Sequence, residues 1–244
     1  MPSKRNKALT NALASLRNDI LGGRFQPGER LTELALCDDL GISRTPLRQA
    51  FEQLISEGLL TRNESGGCLV SSFSIDDIID AIEIRGVLEG TAVRLAAERG
   101  IDESQKFKVD QTLSQIDGIL SKDDFVLGDY VVLNSELHLQ LNNLCRSQVL
   151  LTEIDRVNRL PAASPDAFLI EQLKLPNFGD SVKLAQGQHK EIWNAVLSRE
   201  GARAEWLARE HARLARKNLE FVLNTKPSLA KKIPGLELIT HKGA

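Results

Sequence analysis

Histidine is scarce in this chain, and three of its four copies fall on apolar helical stripes. The chain has 244 residues and four histidines. Apolar residues lie three and seven positions from each of His138, His189 and His211, and four positions from the last two, which places each ring on the inward side of a helix. Burying a polar ring without a partner is costly. Three such rings on three separate helices therefore predict a shared partner, and a divalent transition metal suits imidazole.

An amide lies one helical turn before the first of these histidines. Asn134 shares the stripe of His138, so its side-chain oxygen can complete a four-residue set with His138, His189 and His211. Imidazole suits zinc, nickel, copper or iron. Zinc is the metal we expect, with nickel, iron or manganese as the alternatives. The competing interpretation treats each histidine as a separately satisfied core residue, which a lone histidine would favour and the convergence of three does not.

An arginine on an inward stripe is a second candidate for chemistry. Arg85 lies in register with Ile78, Ile82, Glu89 and Ala92. Two interpretations stay open. Arg85 forms an internal ion pair with a glutamate such as Glu89, or it grips the carboxylate of an effector through two parallel hydrogen bonds. A metal and an arginine inside a helical bundle suit a small organic acid, whose oxygens take open coordination positions.

The run from 41 to 51, together with the apolar positions that continue to Ile55, predicts a helix of about four turns. Ser43 is placed to cap it with its hydroxyl, and Pro46 falls in the first turn, where a missing N–H is tolerated. Its apolar stripe consists of Leu47, Ala50, Phe51, Leu54 and Ile55.

The polar side of this helix suits DNA. Arg44, Thr45 and Arg48 lie off the apolar stripe, and Ser43 precedes them. Backbone N–H groups and hydroxyls hold phosphates, while arginine can bind two guanine acceptors at once. We expect this helix to enter a DNA groove; the alternative is an amphipathic surface helix with solvated arginines.

The elements around this helix predict a winged helix-turn-helix. A helical pattern over 7–21 ends at a pair of glycines, and a short helix follows Thr32 and ends at Gly41. Two strand candidates, 59–62 and 68–71, flank the loop 63–67. Gly66 and Gly67 in that loop let the backbone approach a narrow groove closely.

The rest of the chain is predicted to be helical. Ser74 with Asp77 resembles a capping box. The expected helices are 75–99, 102–121, 123–146, 148–160, 166–174, 181–198 and 202–223. No alternating strand pattern appears among them, so we expect an all-α bundle. The predicted domains are a winged helix-turn-helix at 1–72, an all-α sensing domain at 75–223 and a loosely ordered tail at 224–244.

The front of the chain resembles the DNA-binding domain of the GntR family of bacterial transcription regulators. The matching segments are PGERLTE at 27–33, LGISRTPLRQAFEQLISEGLL at 40–60, the glycine pair at 66–67 and Val70. The resemblance implies that operator DNA is contacted by Ser43, Arg44, Thr45, Arg48, Gly66 and Gly67. Leu34 stands where some members carry a DNA-contacting arginine, which bears on operator preference.

Residues 75–223 are similar to the FCD sensor domain of one large GntR subfamily. The matching segments are EIRGVLEGTAVRLAA at 83–97, NSELH at 134–138, QHKEIWNAV at 188–196 and EHARLARKNL at 210–219. The resemblance implies metal binding by Asn134, His138, His189 and His211, with Asn134 where aspartate is commoner. It also favours the effector clamp for Arg85. The expected protein is a repressor that binds double-stranded operator DNA as a homodimer.

Composition and charge limit the partners and the compartment that we expect. The net charge of −2 means that any DNA site is local. Three widely spaced cysteines predict no disulfide framework and a reducing compartment. Neither a signal peptide nor a membrane span is present in the sequence pattern, so we expect a cytoplasmic protein with no membrane partner.

Two other functions compete with an effector-responsive regulator. A metal-dependent hydrolase would use three histidines and an open metal position. It would also need a base, and no His-Glu-x-x-His motif, nucleophile elbow or phosphate loop occurs. A third interpretation keeps the regulator and makes the metal purely structural. The attached DNA-binding pattern favours a regulator over an enzyme.

Overall fold

The computed structural model describes residues 4–63, 67–122, 125–165, 178–225 and 235–239. These residues form two compact units. The first contains the described residues up to Ile78, together with 159–162 and 235–239. The second contains 79–158, 163–165 and 178–225. The expected mainly helical fold, with a small winged unit followed by a helical bundle, is confirmed.

The first unit is a winged helix-turn-helix. Its helices and strands are α1 (Lys4–Leu21), β1 (Arg30–Leu31), α2 (Glu33–Leu40), α3 (Arg44–Ser56), β2 (Leu60–Arg62) and β3 (Cys68–Val70). β3 is the central strand and is antiparallel to both neighbours, with Leu69 opposite Arg30 on one side and Thr61 on the other. The sequence did not predict β1, because two residues are too few to show an alternating pattern.

The start of α3 differs from expectation in one hydrogen bond. Ser43 occupies the N-cap with extended backbone, but its hydroxyl accepts no hydrogen bond from the helix. A capping hydroxyl normally accepts from the second or third helical N–H. The third helical residue here is Pro46, which has no N–H to donate. The exposed Ser43 hydroxyl is therefore not committed to the cap.

The second unit is built from long helices. They are α4 (Ile75–Arg99, whose first turn belongs to the first unit), α5 (Glu103–Leu120), α6 (Leu127–Asn143), α7 (Gln148–Asn158), α8 (Phe178–Leu197) and α9 (Gly201–Thr225). These agree with the predicted helices to within two residues at each end, except that α6 runs from Leu127 to Asn143 rather than over 123–146 and α8 begins at Phe178 rather than at 181. The expected helix at 166–174 lies outside the described residues. The capping box before α4 is confirmed, since Ser74 N–H donates to Asp77 and Asp77 N–H donates to the Ser74 hydroxyl.

Two glycines let α4 approach α9 closely. A Cβ at Gly86 would lie 2.8 Å from the Cβ of Ala212, and one at Gly90 would lie 2.9 Å from the backbone oxygen of Glu205. α8 packs against both α5 and α9, and α5 packs against α6. This packing brings the inward faces of α4, α6, α8 and α9 together.

The expectation of a loosely ordered tail is wrong for residues 235–239. Leu236–Leu238 form a short 3-10 turn, and the side chain of Leu238 is fully buried in the core of the first unit. Phe73 N–H donates to the Leu238 backbone oxygen at 2.9 Å. The run Leu-Glu-Leu-Ile is too short for helical periodicity, so its burial was not visible in the sequence. Residues 226–234 and 240–244 of the tail lie outside the described part.

Charge pairing also holds a distant segment in the first unit. The buried carboxylate of Glu57, which follows α3, accepts from Arg17 and from Arg159, each at 2.7 Å. Arg159 lies far along the chain and was not expected in this unit. Among the described residues, no helix has the length and apolar character needed to cross a membrane.

Candidate metal centre and DNA-binding surface

Three histidine rings meet inside the second unit. His138 on α6, His189 on α8 and His211 on α9 each offer a ring nitrogen, and these three atoms lie within 4.8 Å of one another. The ring centroid of His138 lies 5.3 Å from the centroid of His189 and 5.3 Å from that of His211. The centroids of His189 and His211 are 4.4 Å apart. The predicted convergence of three inward stripes therefore occurs in the structure.

An outer hydrogen bond orients the ring of His189. Gln186 donates through Nε2 to the backbone oxygen of Leu113 at 3.1 Å and to Asp117 Oδ1 at 3.0 Å. Its Oε1 therefore faces Nδ1 of His189, at 3.2 Å. Because that oxygen can only accept, Nδ1 carries the ring proton. Nε2 is left with its lone pair facing the centre.

His211 follows the same pattern, whereas the carboxylate oxygen near His138 makes no hydrogen bond within the described part of the chain. Nδ1 of His211 lies 3.0 Å from Gln188 Oε1, and Nδ1 of His138 lies 3.4 Å from Glu89 Oε1. An oxygen behind each ring is the usual arrangement around histidines that bind a metal through the other nitrogen. The sequence analysis did not single out either glutamine. Their places just before His189 offered a weak signal, but it did not reveal that Gln188 faces His211.

The distance between the inward-facing nitrogens tests whether these residues fit a metal. Nε2 of His189 and Nε2 of His211 are 3.0 Å apart. Two lone pairs at that distance repel unless a proton or a cation lies between them. Burial lowers the pKa of His189 and of His211 well below the ordinary value, and neighbouring histidines lower each pKa further. A shared proton is therefore disfavoured, and the donor set fits a divalent cation.

Arg85 and Glu89 form the buried ion pair that the sequence left as one interpretation. Nη1 of Arg85 lies 3.4 Å from Oε2 of Glu89, and both side chains are at most 5% exposed. Burial raises the pKa of Glu89, but the attraction of Arg85 and of His138 outweighs it and holds that pKa at about 2. Glu89 is therefore ionised, beside a ring that faces the centre.

The ion pair leaves Arg85 with donors to spare. A guanidinium has five N–H donors, and Nε of Arg85 is buried without a hydrogen-bond partner among the described residues. The ion pair with Glu89 therefore does not exclude the clamp interpretation.

A small cavity lies beside Arg85 and the candidate metal ligands. It has a volume of about 40 Å³, and its lining includes Arg85, Asn134, His138 and His211. The buried Asn134 amide oxygen accepts from the Tyr130 hydroxyl at 3.3 Å. A carbonyl oxygen has a second lone pair, so this hydrogen bond by itself does not exclude Asn134 as a ligand.

On the first unit, the predicted recognition surface is exposed. Ser43, Arg44, Thr45 and Arg48 are all solvent-exposed at the start of α3, while its apolar stripe is buried. Nε of Arg48 lies 2.7 Å from Oε1 of Glu33 on α2. The hydrogen bond from Arg48 lowers the pKa of the Glu33 carboxyl. This contact holds the guanidinium next to the start of α2.

The wing contributes a residue that the sequence analysis missed. A Cβ at Gly67 would lie 2.9 Å from Nε of Arg30, so a larger residue there would displace that side chain. Arg30 is exposed on β1, and its strand partner Leu69 lies on β3 of the wing. A basic side chain thus lies beside the wing glycine. Gly66 lies outside the described residues.

Family comparisons cover both units. Residues 10–70 match the family of bacterial regulatory proteins called gntR, and residues 80–214 match the FCD domain. The HTH-type transcriptional repressor GlaR of Escherichia coli (strain K12) is 30% identical over 201 residues, covering 80% of this chain and 88% of GlaR. The Nta operon transcriptional regulator of Aminobacter aminovorans is 29% identical over 177 residues, covering 72% of this chain and 77% of that protein.

A solved structure agrees with the fold. E. coli McbR/YncC superposes with a TM-score of 0.60 and covers 91% of this chain and 98% of that chain. Its sequence identity is 18%, so this likeness supports the fold alone.

Proposed function

Since this chain belongs to the GntR family of bacterial regulatory proteins, we propose that it represses transcription until a small carboxylic acid binds its helical domain. The family consists of transcription regulators and not of enzymes, so the hydrolase interpretation is set aside. DNA binding belongs to residues 1–72 and sensing to residues 75–223. Repression, rather than activation, is supported by the relative GlaR, which is named a transcriptional repressor.

The sensing centre holds a divalent metal through four neutral ligands. His138, His189 and His211 supply ring nitrogens, and Asn134 supplies an amide oxygen. Zinc suits a site dominated by imidazole, and nickel, iron and manganese remain alternatives. When bound, the metal supplies a positive centre that attracts carboxylate oxygens.

The effector carboxylate is held between this centre and Arg85. The observation that carries the proposal is the 3.0 Å separation of the inner nitrogens of His189 and His211, with a glutamine oxygen behind each ring. Arg85 lines the cavity at this centre, and its Nε, which has no partner among the described residues, can donate to an anion. Arginine binds carboxylates in a paired geometry that fixes their orientation.

Operator DNA is read by the start of α3 and by the wing. Ser43, Arg44, Thr45 and Arg48 contact phosphates and base edges in the major groove. Gly66 and Gly67 allow the wing backbone to approach the duplex, and Arg30 adds a positive charge beside Gly67. A homodimer places two such surfaces on two half-sites of a near-palindromic operator.

Three measurements test this function together. Elemental analysis of purified protein should find about one divalent metal per chain. Gel-shift titration with the chain's own promoter region should show specific binding that a carboxylic acid weakens. Sedimentation should give the mass of a dimer.

The outcomes separate the interpretations. Absence of metal in protein prepared without chelator would contradict the proposed metal centre. Metal content with no response of stability or DNA binding to any carboxylic acid would favour a purely structural metal.

A further inference from the structure

The orientation of the Gln186 amide decides which nitrogen of His189 carries the ring proton. Gln186 is 3% exposed, and its Oε1 lies 3.2 Å from Nδ1 of His189. Half a turn about the last side-chain bond would exchange the oxygen and the nitrogen of the amide. An N–H group would then face Nδ1, which would have to accept, and the ring proton would move to Nε2.

The second tautomer would close the centre to a metal ion. Nε2 of His189 lies 3.0 Å from Nε2 of His211, whose own ring proton faces Gln188 from Nδ1. A proton on Nε2 of His189 would therefore be donated to His211. That hydrogen bond would occupy both of the inward nitrogens that a cation needs. One buried amide thus separates a ring that can bind metal from a ring that binds its neighbour.

Helix α5, which carries none of the proposed ligands, supplies the groups that fix this amide. Nε2 of Gln186 donates to the backbone oxygen of Leu113 at 3.1 Å and to Oδ1 of Asp117 at 3.0 Å. In the turned orientation, Oε1 of Gln186 would face these two acceptor oxygens, which is repulsive. Any residue at 113 supplies a backbone oxygen. Asp117 is therefore the side chain that selects the orientation.

The two oxygens of the Asp117 carboxylate have different partners. Oδ2 lies 2.7 Å from Nζ of Lys190, in an ion pair whose side chains are 44% and 47% exposed. Oδ1 accepts from Gln186. A line of contacts therefore runs from the protein surface through Asp117 and Gln186 to the ring of His189.

We propose that Asp117 is a positioning residue for the metal centre, and this rests on the proposed function. Asp117 holds the Gln186 amide in one orientation, which keeps Nε2 of His189 free for the ion. It acts through Gln186 and not through its own charge. The sensing centre thus extends to a half-exposed residue of α5 that no spacing of ligands in the sequence identifies.

A double-mutant cycle tests whether Asp117 acts through Gln186. The readout is the zinc affinity of the full chain, measured by competition with a chromophoric chelator. Asp117→Leu removes the acceptor and should weaken zinc binding about three- to tenfold, as expected for one lost hydrogen bond. In a Gln186→Leu background, the same substitution should change zinc affinity little. Equal losses in the two backgrounds would show a direct effect of the charge and would overturn the proposal.

Two matched variants separate the acceptor oxygen from the charge. Asp117→Asn keeps an acceptor and should retain most of the zinc affinity that Asp117→Leu loses. Lys190→Gln removes the exposed ion-pair partner but leaves the Asp117 carboxylate, so zinc affinity should stay within about twofold. A loss in Asp117→Asn as large as that in Asp117→Leu would overturn the proposal. Circular dichroism checks the folding of each variant, and Asp117→Ala repeats the test with a smaller side chain.

Nitrogen-15 shifts of His189 in zinc-free protein give a readout that does not depend on metal binding. Burial lowers the pKa of His189 well below its ordinary value, so at neutral pH the shifts report the tautomer of a neutral ring. The unmodified protein should carry the proton on Nδ1, and Asp117→Leu should move part of it to Nε2.

The two readouts distinguish failure of this role from failure of the metal centre. Zinc binding by the unmodified protein, with shifts that are the same in Asp117→Leu, would overturn the role of Asp117 alone. If the unmodified protein binds no zinc, the metal centre of the proposed function fails, and the role of Asp117 fails with it.

Discussion

Nε2 of His189 and Nε2 of His211 lie 3.0 Å apart, with the side-chain oxygen of a glutamine on the far side of each ring. Both pKa values are lowered, chiefly by burial, so the rings are neutral at neutral pH. Neutral rings with inward lone pairs are ready to bind a cation. The arrangement therefore makes the metal content of the protein sensitive to single substitutions.

We predict that His189→Ala lowers bound metal and removes the response to carboxylic acids, while specific DNA binding survives. Loss of one of three imidazoles leaves the remaining ligands too weak to retain the ion. Elemental analysis and gel-shift titration measure the two effects. Undiminished metal in this variant would exclude His189 from the centre.

We predict that Gln188→Leu weakens metal binding by about 10- to 100-fold, because the outer oxygen that orients His211 is lost. Gln188→Glu keeps an acceptor oxygen and should retain metal binding. Competition with a chromophoric chelator measures the affinity. Gln140→Leu is the matched control, since its amide contacts Thr112 and Glu136 rather than a histidine.

A purely structural role for Gln188 would give a different pattern. In that case Gln188→Glu would not rescue metal binding. Nitrogen-15 shifts of the metal-free protein give a second readout, since loss of the oxygen should redistribute the proton between the two ring nitrogens of His211. Unchanged shifts in Gln188→Leu would contradict the orienting role.

We predict that Asn134→Asp raises metal affinity by about tenfold or more. The four proposed ligands are neutral, and the nearby Glu89 carboxylate is paired with Arg85. A carboxylate among the ligands adds direct attraction for a divalent cation in a site of low dielectric constant. Chelator competition compares the two proteins. Equal affinities would mean that Asn134 is not a ligand.

We predict that Arg48→Ala abolishes specific operator binding and leaves metal content unchanged. The guanidinium at the start of α3 is placed to reach base edges, and a lost bidentate contact costs roughly 1–3 kcal/mol. Gel shifts with operator and with unrelated DNA separate specific from general binding. Arg156→Ala on α7 is the control for the loss of one exposed positive charge, and normal operator binding by Arg48→Ala would contradict the groove assignment.

We predict that Leu238→Ala lowers the free energy of unfolding of the first unit by roughly 2–5 kcal/mol, as for other buried leucines. The side chain is fully buried among residues of the winged helix-turn-helix. Denaturant titration followed by circular dichroism measures the change. Leu184→Ala, at an exposed leucine on α8, should change it little; an equal effect of both substitutions would show that the C-terminal segment is not part of this core.

Local patterns were sufficient for most of the helices and for the inward orientation of the three histidines, whereas their convergence was a further inference from how few histidines the chain has. The apolar stripes that contain His138, His189 and His211 could be recognised because an amphipathic helix repeats its buried positions within seven residues. The same holds for α3, whose apolar stripe is buried and whose arginines are exposed. The predicted Ser43 cap is wrong, and the prediction did not consider that Pro46 removes one of the two N–H groups that a capping hydroxyl can reach.

Contacts between distant parts of the chain were decided only by the tertiary structure. Gln188 lies beside His211 across two helices, Arg159 pairs with Glu57 over 102 positions, and Leu238 enters a core formed mostly by residues before 71. Arg85 looked like either an ion-pair partner or a clamp, and only the geometry showed that the pair leaves Nε unpartnered. Periodicity records which face of an element is inward, but it carries no information on which other element that face meets.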